Sequence, residues 1–241
     1  MGERFKCILE SIIFLKEPAK DYVIVITGDL VENAIDPSNY LEARMYIRKL
    51  ESAGFTVLVV PGNHDYGTAS KSSKKFVSLF KEKILENSNV QYPKLDIIDN
   101  IAFIGIDSMA EEIHWYNRLF AEGQIGTNQL DRLSKVLTLK EVKNSKYIVV
   151  YMHHHPFDPL PFHELKDSKE LGNVLMENGN IDALLYGHNH LGKKRHGKWG
   201  IKRCYDAGST TRKRNTAGYH RVIDLSKEPI FDYDADFHGN Y

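Results

Sequence analysis

Apolar and polar positions follow two rhythms along this chain. Phe5, Ile8, Leu9, Ile12, Ile13 and Leu15 recur at helical spacing and predict an opening helix. The run Val23-Ile24-Val25-Ile26 is short, β-branched and followed by Gly28, and it predicts a strand over 22–27. A helix over 38–53 follows, with Pro37 and Ser38 suited to its start and Gly54 to its end. A strand over 55–60 and a helix near 74–85 complete an alternating order, the pattern of an α/β sheet. Two short strands, 95–98 and 101–107, flank the turn Asp99-Asn100. The polar stretch 108–126 carries His114, Trp115, Tyr116 and Phe120. It reads equally as a substrate-facing lid or as a helical insert packing its own aromatics. A helix over 127–139 gathers Leu130, Leu133, Val136 and Leu137 on one face. A strand ending at His153, a helix near 166–177 and a strand over 183–186 come next. The last third reads as antiparallel, with strands at 192–196, 201–206, 219–224 and 230–233. The turn Gly197-Lys198-Trp199-Gly200 joins the first two. No repeat, low-complexity tract or linker interrupts this order. It fits one α/β domain over 1–241, with two packed sheets and helices outside.

Composition narrows the class. With 241 residues, 42% hydrophobic and 27% charged, the chain can fill a full globular core. Its formal net charge is zero, so no global field favours nucleic acid or a membrane surface. Cys7 and Cys204 are far apart and make neither a disulfide framework nor a zinc knuckle; they read as reduced thiols. No apolar stretch reaches the roughly 18 residues of a membrane span. A cytoplasmic protein is expected.

The chemistry sits where apolar runs stop. Residues 23–26 lead into Gly28-Asp29, and 57–60 into Gly62-Asn63-His64-Asp65. Residues 148–151 lead into His153-His154-His155-Pro156, and 183–186 into Gly187-His188-Asn189-His190. In α/β sheets, sites form beyond the carboxyl ends of strands, so four such endings point to one shared site. One carboxylate (Asp29), one amide oxygen (Asn63) and two imidazoles (His154, His188) form a borderline-soft set. It suits Mn, Fe, Zn or Co better than Ca or Mg. His188 and His190, one residue apart, can serve two adjacent metals, a pair able to clamp both oxygens of a phosphoryl displacement. His153 and His155 alternate to the other side of the strand; one of them could contact substrate, and packing is the leading reading for each. His163 ends a Pro-Phe-Asp-Pro-Leu-Pro-Phe-His segment; it could line the pocket, though a rigid surface loop accounts for the prolines without it. Lys193-Lys194-Arg195 and Arg212-Lys213-Arg214 read as solvated hairpin turns, with phosphate or nucleic-acid binding as the sharper alternative.

Order and spacing of Gly28-Asp29-Leu30-Val31-Glu32, Gly62-Asn63-His64-Asp65, His154-His155-Pro156 and Gly187-His188-Asn189-His190 resemble the calcineurin-like metallophosphoesterase superfamily. Gly126 to Leu133, with Gln129, and the Gly208-Ser209-Thr210 turn extend the resemblance across nearly the whole chain. It implies a four-layer αββα sandwich of two packed mixed sheets. It also implies hydrolysis of phosphoesters by attack of a metal-bound hydroxide on phosphorus. Asp29 matches the bridging aspartate; Asn63, His154 and His188 match the other ligands of one metal, and His190 a ligand of the second. His64 matches the histidine that contacts phosphate and protonates the leaving group. Glu32 stands where relatives place a carboxylate orienting that histidine.

One part of the pattern is missing. No Asp-x-His strand precedes Asp29, which leaves the second metal only Asp29 and His190. Three explanations compete: a start downstream of the natural one, a truncation, or a real loss; intact motifs elsewhere favour the first two. The absent strand should expose apolar surface and strand edges. One well-held cation and a weak or absent second are therefore expected. Asn33 replaces the phosphate-gripping arginine of the protein-phosphatase branch, so the chain looks more like small phosphodiesterases, including those acting on cyclic nucleotides or glycerophosphodiesters. The leading expectation is a small phosphodiester as substrate, with phosphomonoesters next. A nuclease of the same superfamily is disfavoured by zero net charge. A catalytically impaired scaffold protein gains support only from the missing motif. The sequence leaves the oligomeric state open.

Overall fold

The computed structural model describes residues 3–67, 74–109, 122–157, 163–210, 220–227 and 230–235. The chain opens with α1 (Glu3–Ile13) and enters β1 (Val23–Ile26), α2 (Ser38–Ser52), β2 (Thr56–Val59) and α3 (Lys74–Lys83). The hairpin of β3 (Lys94–Ile98) and β4 (Ile101–Gly105) leads to α4 (Thr127–Thr138), α5 (Lys140–Lys143) and β5 (Tyr147–Tyr151). Then come α6 (Ser168–Asn178), β6 (Ala183–Tyr186), β7 (Lys194–Lys198), β8 (Ile201–Asp206), β9 (His220–Asp224) and β10 (Phe231–Ala235). The aromatic stretch with His114, Trp115, Tyr116 and Phe120, and the cluster Arg212-Lys213-Arg214, lie outside the described residues.

Six strands form one mixed sheet in the order β3-β4-β5-β6-β8-β7. Its period-2 alternation builds two cores at once. On β5, Ile148 and Val150 enter the helix-side core with Leu133 and Leu137 of α4 and Leu171 and Leu175 of α6. Val149 and Tyr151 point the other way, into a core shared with Val23, Val25, Leu58 and Ile223. Beyond it, Ile26, Val57 and Val59 pack under Tyr40, Ala43 and Ile47 of α2 and Phe76, Val77 and Phe80 of α3. Helices, strands, strands, helices: this is the expected αββα order of layers.

Two details differ from the sequence reading. The last third is not wholly antiparallel, because β8 lies parallel to β6 while β7 covers its other side. The burial of the two strands explains the placement. β8 sends Cys204 to one core and Tyr205 to the other, as a central strand must, whereas β7 is mostly exposed and Lys-rich, as an edge tolerates. The layer facing the large sheet is also split, into the parallel pair β1–β2 and the antiparallel pair β9–β10. Among the described residues β1 has one strand neighbour, and all four of its side chains are only half-buried. Among the described residues no helix is long and apolar enough to cross a membrane.

Candidate metal centre

Parallel pairing of β1 with β2 and of β5 with β6 sends the loops that follow them out along one rim. Two glycines let those loops touch. A Cβ on Gly28, whose φ is +97°, would come within 2.7 Å of the Gly62 nitrogen and of His153 Nδ1. A Cβ on Gly62 would lie 2.2 Å from Asp29 Oδ1. Asp29, His188 and His190 themselves hold left-handed backbone, with φ of 55°, 71° and 54°. For non-glycine residues that conformation costs about 1–2 kcal/mol each. Surrounding bonds hold it in place. The buried Asp65 carboxylate accepts from Gly62 N at 2.8 Å and Val31 N at 3.0 Å. The Asp65 carbonyl accepts the Tyr40 hydroxyl at 2.7 Å. Asp206, also buried, accepts from Gly208 N at 2.8 Å and Leu191 N at 3.3 Å, bracing the loop after β6. Burial first, and the nearby Asp29 charge second, raise the Asp65 carboxyl above the usual carboxylate range, against the pull of the Gly62 and Val31 N–H groups.

At the rim, Asp29, Asn63 and His188 come together as expected. The imidazole that contacts all three is His153. Its Nε2 lies 3.0 Å from Asn63 Oδ1, 3.0 Å from His188 Nδ1 and 3.4 Å from Asp29 Oδ2. Its Nδ1 sits 2.7 Å from the carbonyl of Thr27, which can only accept. A neutral His153 therefore donates from Nδ1 and turns the Nε2 lone pair to the cluster. Ligand atoms about 2.1 Å from one cation and at right angles lie about 3 Å apart, so these separations suit a shared transition-metal ion. Burial, reinforced by the imidazoles of His154, His153, His163 and His190, keeps His188 well below the ordinary histidine range and hence neutral.

Reading His153 as packing put His154 on the face of the strand that bears the site. The alternation runs on past Tyr151 with the opposite phase: Met152 joins Ile148 and Val150 in the helix-side core, Gly187 N donates to the His153 carbonyl at 2.9 Å, and His153 shares the face of Val149 and Tyr151 toward β1 and β2. His154 is fully buried beside the cluster, its ring 4.5 Å from that of His188. One nitrogen each of His153, His154 and His188 lie within 4.8 Å of one another. His154 Nδ1 is engaged by the Ser108 hydroxyl at 2.8 Å, and its backbone N–H donates to the same oxygen at 3.1 Å. His155 packs against Tyr186, with ring centroids 4.7 Å apart, in keeping with its reading as packing.

A cleft of about 300 Å³ opens onto the cluster, lined by Asp29, Asn63, His64, His163, His188, Asn189 and His190. His64 Nδ1 lies 2.9 Å from the backbone carbonyl of Glu32. Residue 32 thus does orient His64, but through its carbonyl; the exposed Glu32 side chain is not the group in that contact. The bond fixes the proton on Nδ1 and leaves Nε2 of His64 for other partners. His163, left open in the sequence, stands in the cleft wall with Nδ1 3.4 Å from His188 Nε2. No spacing rule reaches it across the proline-rich segment. Gln129 is a second residue whose task only the fold explains. Its amide accepts from Asp107 N at 2.9 Å and donates to Asp107 O at 2.8 Å and Ile125 O at 3.1 Å, pinning the loop after β4.

Known proteins share much of this sequence and fold. The chain is 29% identical over 180 residues to the 3′,5′-cyclic adenosine monophosphate phosphodiesterase CpdA of Haemophilus influenzae, covering 70% of this chain and 54% of that protein. It is 25% identical over 197 residues to YpbG of Bacillus subtilis, covering 81% of this chain and 60% of that protein. The chain thus spans between half and two thirds of the length of these relatives. In fold it is similar to a dimetal phosphatase from Danio rerio, with a TM-score of 0.61 at 14% identity, covering 97% of this chain and 88% of the other. Residues 3–192 match the calcineurin-like phosphoesterase family, and the chain belongs to that family.

Proposed function

We infer that this protein is a metal-dependent phosphoester hydrolase acting on a small phosphodiester. The observation that carries the reading is the contact of His153 Nε2 with Asn63 Oδ1, His188 Nδ1 and Asp29 Oδ2 at 3.0–3.4 Å. With no proton needed between them, these four atoms offer lone pairs to one cation of the Mn, Fe, Zn or Co class. His153 takes the ligand place that sequence order gave to His154, and His154 supports the ring cluster from behind through Ser108. When bound, the cation supplies Lewis-acid stabilisation of charge on phosphoryl oxygens and activation of water. The chain's own residues do the rest. His64, held by the Glu32 carbonyl, presents Nε2 to the cleft; with both ring nitrogens protonated it can donate from Nε2 to a phosphoryl oxygen or deliver that proton to the departing alkoxide, returning to the neutral ring. His190 faces the same cleft and, with Asp29, remains the protein's offering to any second ion.

Similarity to a cyclic-nucleotide phosphodiesterase and the small volume of the cleft support a small diester over a polymer. A neutral chain gives nucleic acid no long-range attraction. The buried free thiol of Cys204 is in keeping with a cytoplasmic setting. The test is hydrolysis with added Mn²⁺ of bis(p-nitrophenyl) phosphate, p-nitrophenyl phosphate, 3′,5′-cyclic AMP and a short oligonucleotide. Faster turnover of the small diesters is expected. Preference for the oligonucleotide would turn the reading into a nuclease, and no turnover of any of them would overturn it.

A further inference from the structure

His188 uses both ring nitrogens. Nδ1 points to His153 Nε2 at 3.0 Å, inside the proposed cation site, and Nε2 points outward to His163 Nδ1 at 3.4 Å. The two rings lie 5.4 Å apart at an interplanar angle of 50°, so the contact is edge-on between nitrogens and the rings are not stacked. At most one proton can sit between His153 Nε2 and His188 Nδ1, and a cation at that point requires none. A neutral His188 that offers Nδ1 as a ligand must then carry its proton on Nε2, where it needs an acceptor. His153 solves the same problem with the Thr27 carbonyl. For His188, the group in that position is the Nδ1 lone pair of His163. Its distance is at the long end of the hydrogen-bond range, as suits a partner at the mouth of a cleft.

We propose that His163 is a positioning residue of the metal centre: its Nδ1 accepts the His188 Nε2–H and holds that ring with its other nitrogen turned to the cation. The inference rests on the cation site proposed above. His163 lies five residues before α6 opens at Ser168. The orientation has a further consequence. With Nδ1 committed as an acceptor, neutral His163 carries its own proton on Nε2, so it cannot serve as a second ligand through that nitrogen.

The test is calorimetric titration of the 241-residue protein with Mn²⁺, comparing wild type, His163→Ala and His163→Asn. Residue 163 is exposed, so the variants keep the fold, which thermal unfolding checks directly. Loss of such an outer partner weakens metal affinity about 10- to 100-fold. The alanine variant should show that loss. Asparagine, whose Oδ1 stands close to the place of Nδ1 and only accepts, should recover affinity to within about threefold of wild type. Unchanged affinity in the alanine variant would overturn the proposal. So would an asparagine variant as weak as alanine, since His163 would then act as a ligand or by packing. A wild-type protein that takes up no Mn²⁺ would remove the cation site itself, an outcome distinct from both.

Discussion

At the scale of single residues, the centre depends on which ring nitrogen faces which way. His153 is 2% exposed and anchored at Nδ1, so its Nε2 has one direction to point. His154 is equally buried and likewise held at Nδ1, by Ser108, with its ring against Gly123, where a Cβ would lie 2.4 Å from His154 Cγ; but it is His153 Nε2 that lies within 3.0–3.4 Å of Asn63, His188 and Asp29. The two neighbours should therefore fail differently when replaced. His153→Ala should weaken Mn²⁺ binding at least 100-fold, beyond the effect of losing an outer partner (about 10–100-fold), with modest loss of stability. His154→Ala should leave affinity within about tenfold and lower stability by about 1–3 kcal/mol, because Ser108 is left buried beside an unfilled space. Metal titration and chemical denaturation of both variants check this. The reverse pattern would restore the assignment that sequence order suggested. Asp29, Asn63, His64, His188 and His190, which line one cleft, each follow an apolar run that the chain must bury, and that much could be read from the sequence. The sequence reading put His154 on the site's face of β5, whereas Val149, Tyr151 and His153 share the face toward β1 and β2. His163 was undecidable, since only chain return in three dimensions brings it to His188.

At the scale of elements, the site is held by strands that place loops and by helices that keep the strands in order. The alternation of β5 was readable as a buried strand, and the helix over 127–139 announced its inward face through Leu130, Leu133 and Leu137. α4 forms there and buries all three. What the sequence concealed was sheet order. Nothing in 201–206 states that it pairs parallel with β6; that follows from having apolar groups for both cores. The paired left-handed residues Asp99 and Asn100, with φ of 46° and 63°, and Trp199 and Gly200, with φ of 52° and 72°, close their hairpins in two residues each. At this scale the prediction concerns α4. Leu133 is fully buried in the helix-side core, far in role from the cluster. Leu133→Ala should cost about 2–5 kcal/mol of stability while leaving metal affinity unchanged in the folded protein. Denaturant unfolding with and without Mn²⁺ would show it. A loss under about 1 kcal/mol would mean that α4 does not carry the sheet as described.

At the scale of the whole molecule, two sheets packed face to face bring the ends of strands from both onto one rim. Asp29 and Asn63 come from the β1–β2 pair, and His153 and His188 from the six-stranded sheet. The centre therefore reports on the packing of the two sheets as well as on local loops. Gly28 sits where the two layers meet, against His153 Nδ1 of the large sheet, while Gly62 lets the loops after β1 and β2 close on each other at Asp29. β1 has one strand neighbour among the described residues, and Asp29 stands just beyond its carboxyl end. Diffraction data from Mn²⁺-loaded crystals, collected for anomalous signal, examine the claim most directly. One strong peak about 2.0–2.5 Å from His153 Nε2, Asn63 Oδ1, His188 Nδ1 and Asp29 is the expected result. No peak at these side chains, or a peak bound by His154 with His153 turned away, would contradict it.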